Sequence, residues 1–581
     1  MKTNKNTVFS IIVMLVICVA CKKTHSSGGA GNGTRPPTTD SVYAPVDPSN
    51  PSTIGFFSNG WQQKTFTDPV SSAAGSTATG TVTDSLIIDV NKVLVRIPPT
   101  LYGINSNPYM TQIVTQPSLM GYIKDLAPRI IRGPGGSLSD VYFWNDTAAA
   151  PADAPDSLPD GTGKLQPAGY WFGGNTASWT IALSNYYNML AQTGSTGIIT
   201  VNYGYARYGT SANPVAAAAH LAADWVRYDK GRTKFWEIGN ETYGNWEAGY
   251  RIDQTRNKDG QPMIVTGALY GQHVKVFADS MRAAATQTGA TIYIGATLYQ
   301  QAPQSYDYAS IQTWNQGVLS QAGNAPDFYI VHNYYTAYNT NSTVADILAT
   351  SVSVTTNMMS YVTQQESGGG VTAKPIALTE WNIQARGSKQ NTSYIAGIHA
   401  VKTLGSLIRN QYGEASRWDL ANGYANGDDM GMFNIGDEAG APLWNPRPAF
   451  YYLYYFQQMT GDRLVYDTLK ASNGDITTYS STFSSGQAGT AIINSGVLSH
   501  TVSIDFRHFP AGSHYYWYIL TGGTDNAPFS SRVYVNGAGP STSTGGPLNY
   551  ASIKPYASTL NGTIKIAVPP LSVIYLVADN K

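Results

Sequence analysis

The chain is poor in cysteine, in charge and in histidine, and each shortage excludes something. Its only cysteines, Cys18 and Cys21, lie close to the N-terminus, so the rest of the chain has neither a disulfide framework nor a cysteine metal site. Charged residues are 12% of the 581, and 36 basic side chains balance 36 acidic ones. A nucleic-acid partner would need a basic face, which this balance does not suggest. The 8 histidines include no pair at the spacing of a helical zinc site in the body of the chain. No metal and no other cofactor is therefore expected. Without disulfides, stability has to come from core size, and a chain this long is expected to form two or more domains.

Tyrosine, by contrast, is abundant at 40 residues, alongside 12 Trp. This suits a β-rich exported protein and equally a surface that stacks on carbohydrate. Export is also signalled at the N-terminus. Lys2 and Lys5 precede an apolar run over residues 8–20, shorter than the roughly 20 residues of a membrane-spanning helix. The junction Cys18-Val19-Ala20-Cys21 resembles a bacterial lipoprotein signal, with Cys18 where such signals usually carry Leu. The resemblance implies a signal peptide over residues 1–21, cleavage before Cys21 and lipidation of its thiol. The alternative is an ordinary secretory signal cut nearby. The expected location is a bacterial membrane, on its periplasmic or cell-surface side, with the lipid as the only membrane attachment. Residues 22–55, with many Ser, Gly, Thr and Pro, read as a flexible linker.

Two stretches carry chemistry. Residues 235–246 read FWEIGNETYGNW: a buried strand that breaks at Gly239 and delivers Asn240 and Glu241 to its end, followed by Tyr243 and Trp246. Residues 375–381 read PIALTEW, an apolar run ending in Glu380 and Trp381. Two glutamates on separate strand ends are what a glycosidase needs, one as acid/base and one as nucleophile. WEIGNE and TEWN resemble the retaining glycoside hydrolases of clan A, and among them family 51, with its α-L-arabinofuranosidases and some endoglucanases. The resemblance covers roughly residues 93–455 and implies Glu241 as acid/base and Glu380 as nucleophile.

The fold class expected is α/β: a (β/α)8 TIM barrel over residues 98–458 with a C-terminal β-sandwich over 459–581. Strand and helix patterns alternate, which argues for parallel βα units. With the resemblance as guide, strands fall at residues 101–104, 129–132, 197–202, 235–238, 291–295, 328–331, up to 380, and 415–420. Helices are expected over residues 214–228, 274–286 and 393–409. Glu241 and Glu380 then end the fourth and seventh strands, at the catalytic face of such a barrel. Residues 56–97 read as strands, with Asn91-Lys92 as a hairpin turn between Leu86/Ile88/Val90 and Val93/Val95/Ile97. The family resemblance implies that they join the C-terminal sheet. After residue 460 short strands alternate with turns, and residues 537–546 read as a surface loop.

Around the glutamates, Asn240 corresponds in the resemblance to the amide that contacts the sugar hydroxyl beside the reacting carbon. His332 and Tyr334 end the sixth strand, where the family places residues that line the site. Arg132, at the second strand, is a candidate partner for Glu380. Alternation puts Glu237 on the same side of its strand as Glu241 but deeper, so it reads as buried and paired with a cation. Trp246, Trp381 and Trp418 are candidates for stacking on sugar, and core packing explains any one of them as well. Two departures touch the sugar contacts. Asn107 stands where family 51 arabinofuranosidases carry a sugar-binding glutamate, and their PGGN is Pro134-Gly135-Gly136-Ser137 here.

The expected function is a retaining glycoside hydrolase acting on plant-type polysaccharide or its side chains, arabinofuranosidase-like. The acid/base role calls for a raised Glu241 pKa, supplied by burial and the Glu380 charge. One alternative is an endo-β-glycanase on xylan or glucan. Another, of a different class, is a surface glycan-binding lipoprotein without catalysis. In each case the partner is a polysaccharide or oligosaccharide.

Overall fold

A computed structural model describes residues 43–581. Eight parallel strands close into a barrel: β1 (Gly103–Asn105), β2 (Ile130–Gly133), β3 (Thr196–Val201), β4 (Phe235–Ile238), β5 (Tyr293–Thr297), β6 (Phe328–Tyr334), β7 (Ile376–Asn382) and β8 (Glu414–Arg417). β6 and β7 begin as unbroken apolar runs, because helices cover one face and the barrel interior the other. The covering helices start where their caps dictate. Asn213 accepts a hydrogen bond from the Ala216 amide and Pro214 takes the first turn of Pro214–Asp229. Thr266 caps Gly267–Thr288, which starts before the span read from the sequence, and Ser393 caps Tyr394–Arg409.

The barrel has a filled lower end. Gly55–Ser58 forms a 3-10 turn that sets Phe57 against Phe235 and Phe328, at ring-centroid distances of 4.9 and 5.4 Å. Phe56 stacks on Tyr293 at 3.8 Å. Phe57 joins a buried cluster with Ile130, Ile198, Phe235, Phe328, Ile330 and Ala377, most of them at or near the first residues of their strands. This corrects two expectations. The end of the segment read as a linker is docked: Ile54 is fully buried, and Asp47 pairs with Arg463 at 2.6 Å. Phe56 and Phe57 belong to a plug, where the sequence suggested strand.

The strand Asp84–Arg96 lies in the large mixed sheet, between the strands Arg463–Lys470 and His500–Arg507. It runs unbroken through Asn91-Lys92, so the expected hairpin turn is absent. The pair carries no glycine, and neither residue takes the positive φ that a two-residue hairpin needs. The ladder to Arg463–Lys470 shifts register there instead.

The sheet folds as a sandwich packed on the barrel. The strand Ser572–Asn580 shows how, since it is buried on both faces. Ile574, Leu576 and Ala578 face the sandwich interior with Leu86, Ile88, Val502 and Ile504. Val573, Tyr575 and Val577 join the barrel core, and the Tyr575 hydroxyl donates to the Tyr452 carbonyl at 2.7 Å. The loop over residues 537–546 is only partly a surface loop. Thr544 is buried, and its carbonyl accepts from the Asn445 side chain. Among the described residues no helix is long and apolar enough to cross a membrane.

Candidate active site

The upper end of the barrel is built around Arg132, which is wholly buried. Its Nε donates to Glu237 Oε2 at 2.6 Å and its Nη1 to Glu380 Oε1 at 2.7 Å. Nη1 also reaches Asn105 Oδ1 at 3.0 Å, and Nη2 reaches Asn240 Oδ1 at 2.8 Å. Burial lowers the Arg132 pKa, but the two glutamates more than compensate and hold it above the ordinary value. One cation thus serves a deep carboxylate, a carboxylate at the mouth and the amide beside Glu241. Thr200 adds a hydrogen bond to Glu237 Oε2 at 2.8 Å. Glu237 is buried and paired, and does not reach the mouth.

Glu241 follows a turn that only certain backbones allow. Gly239 has φ +75°, and a Cβ there would lie 2.7 Å from Tyr203. Glu241 itself holds φ +35°, an unusual value for a non-glycine residue, of the kind that clusters at functional sites. The Trp246 indole donates to Glu241 Oε2 at 2.9 Å, and the Tyr243 hydroxyl lies 3.4 Å from Oε1. His332 Nδ1 is 3.3 Å from Oε1, while its Nε2 pairs with Thr379 Oγ1 at 2.9 Å. Burial pushes the Glu241 carboxyl up, but His332, the Trp246 hydrogen bond and the Arg132 charge outweigh it, so its pKa is lowered. The sequence reading expected the opposite. The difference arises chiefly from His332, whose ring nitrogen lies beside Oε1, with the Trp246 hydrogen bond and the Arg132 charge adding to it.

Glu380 owes its position to a bulge. The β6–β7 register passes from Val331↔Leu378 to His332↔Glu380, leaving Thr379 as the extra residue. Glu380 Oε2 accepts from the Tyr334 hydroxyl at 2.9 Å. An oxygen of Glu241, an oxygen of Glu380 and a His332 ring nitrogen all lie within 4.8 Å of one another. Such a trio has the donor types of a metal site. Here, however, the carboxylates are already engaged by Arg132, Tyr334 and Trp246, an arrangement that suits paired carboxylates acting on an organic substrate.

Behind Asn240 stands a pair of acids that sequence reasoning missed. The Asn240 amide nitrogen donates to Glu247 Oε1 at 2.9 Å, and Ser137 donates to the same oxygen at 2.9 Å. Asp140 accepts backbone N–H groups of Tyr203, Gly204 and Asn240 at 3.1, 3.2 and 3.3 Å. Burial pushes Asp140 up to about 7 and Glu247 well above the carboxylate range. Arg132 and Glu247 together fix which way the Asn240 amide faces. Asn105 was missed too, although it lies in the same first-strand segment as Asn107.

The other expected residues lie as follows. Trp246 is half exposed at the mouth. Trp381 is buried, and Trp418 nearly so. A Cβ on Gly136, which has φ +67°, would meet the Trp418 ring at 2.6 Å, so the glycine turn makes room for that indole. Asn107 is fully buried and donates to Asp419 Oδ2 and toward the Tyr109 hydroxyl. Burial raises the Asp419 carboxyl well above its usual range. The structure thus brings Arg132, Asn240, Glu241, His332, Tyr334, Glu380 and Trp246 into one connected set of polar contacts. Asn107, Trp381 and Trp418 are held by packing and by other partners.

Residues 122–339 match the family described as the alpha-L-arabinofuranosidase 1 domain. That span contains Arg132, Asn240, Glu241, His332 and Tyr334, and stops short of Glu380. No curated protein sequence matches the chain. Among solved structures, the Thermotoga maritima α-L-arabinofuranosidase, solved with arabinose, aligns with TM-score 0.57 and 16% identity over 85% of this chain and 99% of its own. CelM2, a bifunctional glucanase-xylanase from a metagenome library, aligns with TM-score 0.57 and 13% identity, covering 86% and 99%. A Paenibacillus polymyxa xyloglucanase of glycoside hydrolase family 44 aligns with TM-score 0.55 and 12% identity, covering 86% and 100%. The chain is thus similar to the clan A glycoside hydrolases, and shares their barrel and accompanying β-domain.

Proposed function

We infer that the chain is a retaining glycoside hydrolase of the arabinofuranosidase-like type, with Glu380 as nucleophile and Glu241 as acid/base. The observation that carries this reading is the placement of the two carboxylates across the barrel mouth, with oxygens within 4.8 Å of each other. Retaining enzymes hold their carboxyl groups about 5–5.5 Å apart, whereas inverting enzymes leave roughly 6.5–9.5 Å for a water. A Glu380 oxygen attacks the anomeric carbon as the glycosidic bond breaks, and Glu241 gives its proton to the departing oxygen. Glu241 then takes a proton from water, whose oxygen displaces Glu380 and frees the sugar. Arg132 and Tyr334 aim Glu380 through hydrogen bonds to its two oxygens. In the free enzyme His332 and Trp246 favour the Glu241 carboxylate. A sugar seated between the two glutamates excludes water from Glu241, which favours its acid form.

The substrates are plant-type polysaccharides or their side chains, with α-L-arabinofuranosyl groups as the first reading. The matched family supports that reading. A second reading, an endo-β-glycanase, is favoured by exposed aromatics on three successive loops: Trp246 after β4, Tyr306 and Tyr308 after β5, and Tyr338 after β6. Such a row suits a chain that runs past the site. A panel of nitrophenyl glycosides and polysaccharides tests both readings. Release of single arabinose units supports the first and mid-chain cuts support the second. If wild type matches Glu380→Gly on every member, catalysis is excluded in favour of glycan binding alone. Cys21 lies outside the described residues. We propose it as the lipidated mature N-terminus, and mass spectrometry of membrane-extracted protein tests this by a diacylglyceryl adduct on Cys21. An unmodified mature form beginning elsewhere would refute it.

A further inference from the structure

A depression of about 370 Å³ opens beside the acid/base loop. Three separate segments line it: Gly161 from the insertion between β2 and β3, Asn245 to Thr266 after β4, and Tyr308 to Ser310 after β5. It is close to the chemistry. Asn245 precedes Trp246, whose indole holds Glu241. Ser310 lies 3.3 Å from the Tyr243 carbonyl, and the Tyr243 hydroxyl reaches Glu241.

Its one charged lining residue is Arg251. The guanidinium is half-buried, with Nε donating to the Gly161 carbonyl at 3.2 Å and Nη1 against Met263 Sδ at 2.8 Å. No Asp or Glu lines the depression, and the Arg251 side chain is held by the Gly161 carbonyl and Met263 and not by a carboxylate. Other nearby arginines are satisfied: Arg256 has Asp253 at 3.6 Å, Arg282 has Asp327 at 2.9 Å, and the buried Arg207 is saturated by the Gly249, Pro262 and Met263 carbonyls and the Gln261 side chain. The Tyr308 ring is half exposed and stands edge-on to Tyr250, at a centroid distance of 6.4 Å. The depression therefore offers a planar cation lacking an anion, next to an open aromatic face.

We propose that this depression is a subsite for a carboxylated sugar, a uronic acid unit, on the leaving-group side of the cleaved bond. The proposal rests on the hydrolase reading above for its side assignment, because sugars beyond Glu241 belong to the group that Glu241 protonates. A guanidinium matches a carboxylate as a two-toothed fork, which an ammonium does not. The sugar ring covers Tyr308 while its carboxylate supplies the charge Arg251 lacks. The preferred substrates are then acidic polysaccharides, cut on the non-reducing side of a uronate-bearing unit.

Two measurements on the full chain decide the matter. In the first, sodium glucuronate and sodium galacturonate are titrated into wild type, Arg251→Met and Arg251→Lys at low salt, with glucose as the neutral control. At least one uronate is expected to bind wild type, about tenfold more weakly to Arg251→Lys, and not measurably to Arg251→Met. No uronate binding to wild type, or equal binding to all three proteins, overturns the proposal. In the second, acidic oligosaccharides are compared with the same molecules after carboxyl reduction. Arg251→Met is expected to raise KM about tenfold for the acidic form and leave the reduced form unchanged; an equal effect on both overturns the proposal. If wild type cleaves neither form, the substrate preference inferred here fails, the glycoside panel still decides the hydrolase reading, and the titration still decides whether the subsite exists.

Discussion

The two ends of the barrel are built from the same strands by opposite means. At the lower end Phe235 and Phe328 open β4 and β6, and the chain's own Phe56 and Phe57 close the space between them. Further along the same strands, Glu237, Glu241 and His332 converge with Glu380 around the buried Arg132. Apolar burial stabilises the first end at about 25 cal/mol per Å². The second end is costly to bury, since charges taken from water regain their loss only through good pairing. The lower end thus holds the strands together, and the upper end uses that rigidity to aim carboxylates.

The largest difference between the ends is expected in catalysis. Glu380→Gly is predicted to lower turnover of the natural polymer by about 10⁴-fold or more without loss of fold. Added azide is predicted to restore bond cleavage and to give an inverted glycosyl azide, identified by NMR. Glu241→Ala is predicted to lose about 10²–10⁴-fold on the polymer and much less on dinitrophenyl glycosides, whose leaving group needs no proton. If both variants keep near wild-type rates on the polymer, the assignment of the upper end is wrong.

Stability separates the ends next. Arg132→Met leaves Glu237 and Glu380 without their shared cation and is predicted to cost about 3–5 kcal/mol in denaturant melts, together with most of the activity. Phe57→Ala opens a hole in the plug and is predicted to cost about 3 kcal/mol, while the folded fraction keeps its kcat. Equal activity losses in the two variants would erase the distinction drawn here.

The smallest effect concerns pH. The Trp246 hydrogen bond favours the Glu241 carboxylate, so removing it raises the Glu241 pKa. In the proposed mechanism Glu241 acts first as an acid, so kcat/KM on substrates needing that acid should fall as pH rises through its free-enzyme pKa. Trp246→Phe is therefore predicted to move the alkaline limb of kcat/KM upward by about one pH unit. A downward shift would contradict this account of the Trp246 contact.

Much of the upper end was legible in the sequence because strand alternation is strict. With a period of two, Glu237 and Glu241 had to differ in depth, and a strand ending at Gly239 had to present Asn240 and Glu241. What escaped depends on partners distant in sequence. Glu247 looked like one more polar residue after Trp246, and only the fold brings Asn240, Ser137 and Asp140 to it. The bulge at Thr379 leaves no mark in TEWN. The Glu241 pKa has the opposite sign to the one expected because no local pattern reveals that the fold sets the His332 ring against its carboxyl. Phe56 and Phe57 resemble strand residues, and only the empty barrel end explains them as a plug. Asn91-Lys92 showed the polarity of a turn without the glycine that makes one.

The central claim is that Glu380 forms the bond to sugar while Glu241 moves the proton. Its most direct test is to react the Glu241→Ala variant with a dinitrophenyl glycoside, chosen from those the wild type cleaves, then quench and map the peptides by mass spectrometry. The account predicts a glycosyl ester on Glu380, which disappears on adding azide as a glycosyl azide of retained configuration forms. A sugar attached to Glu237, or an inverted product with no adduct on any peptide, would contradict it.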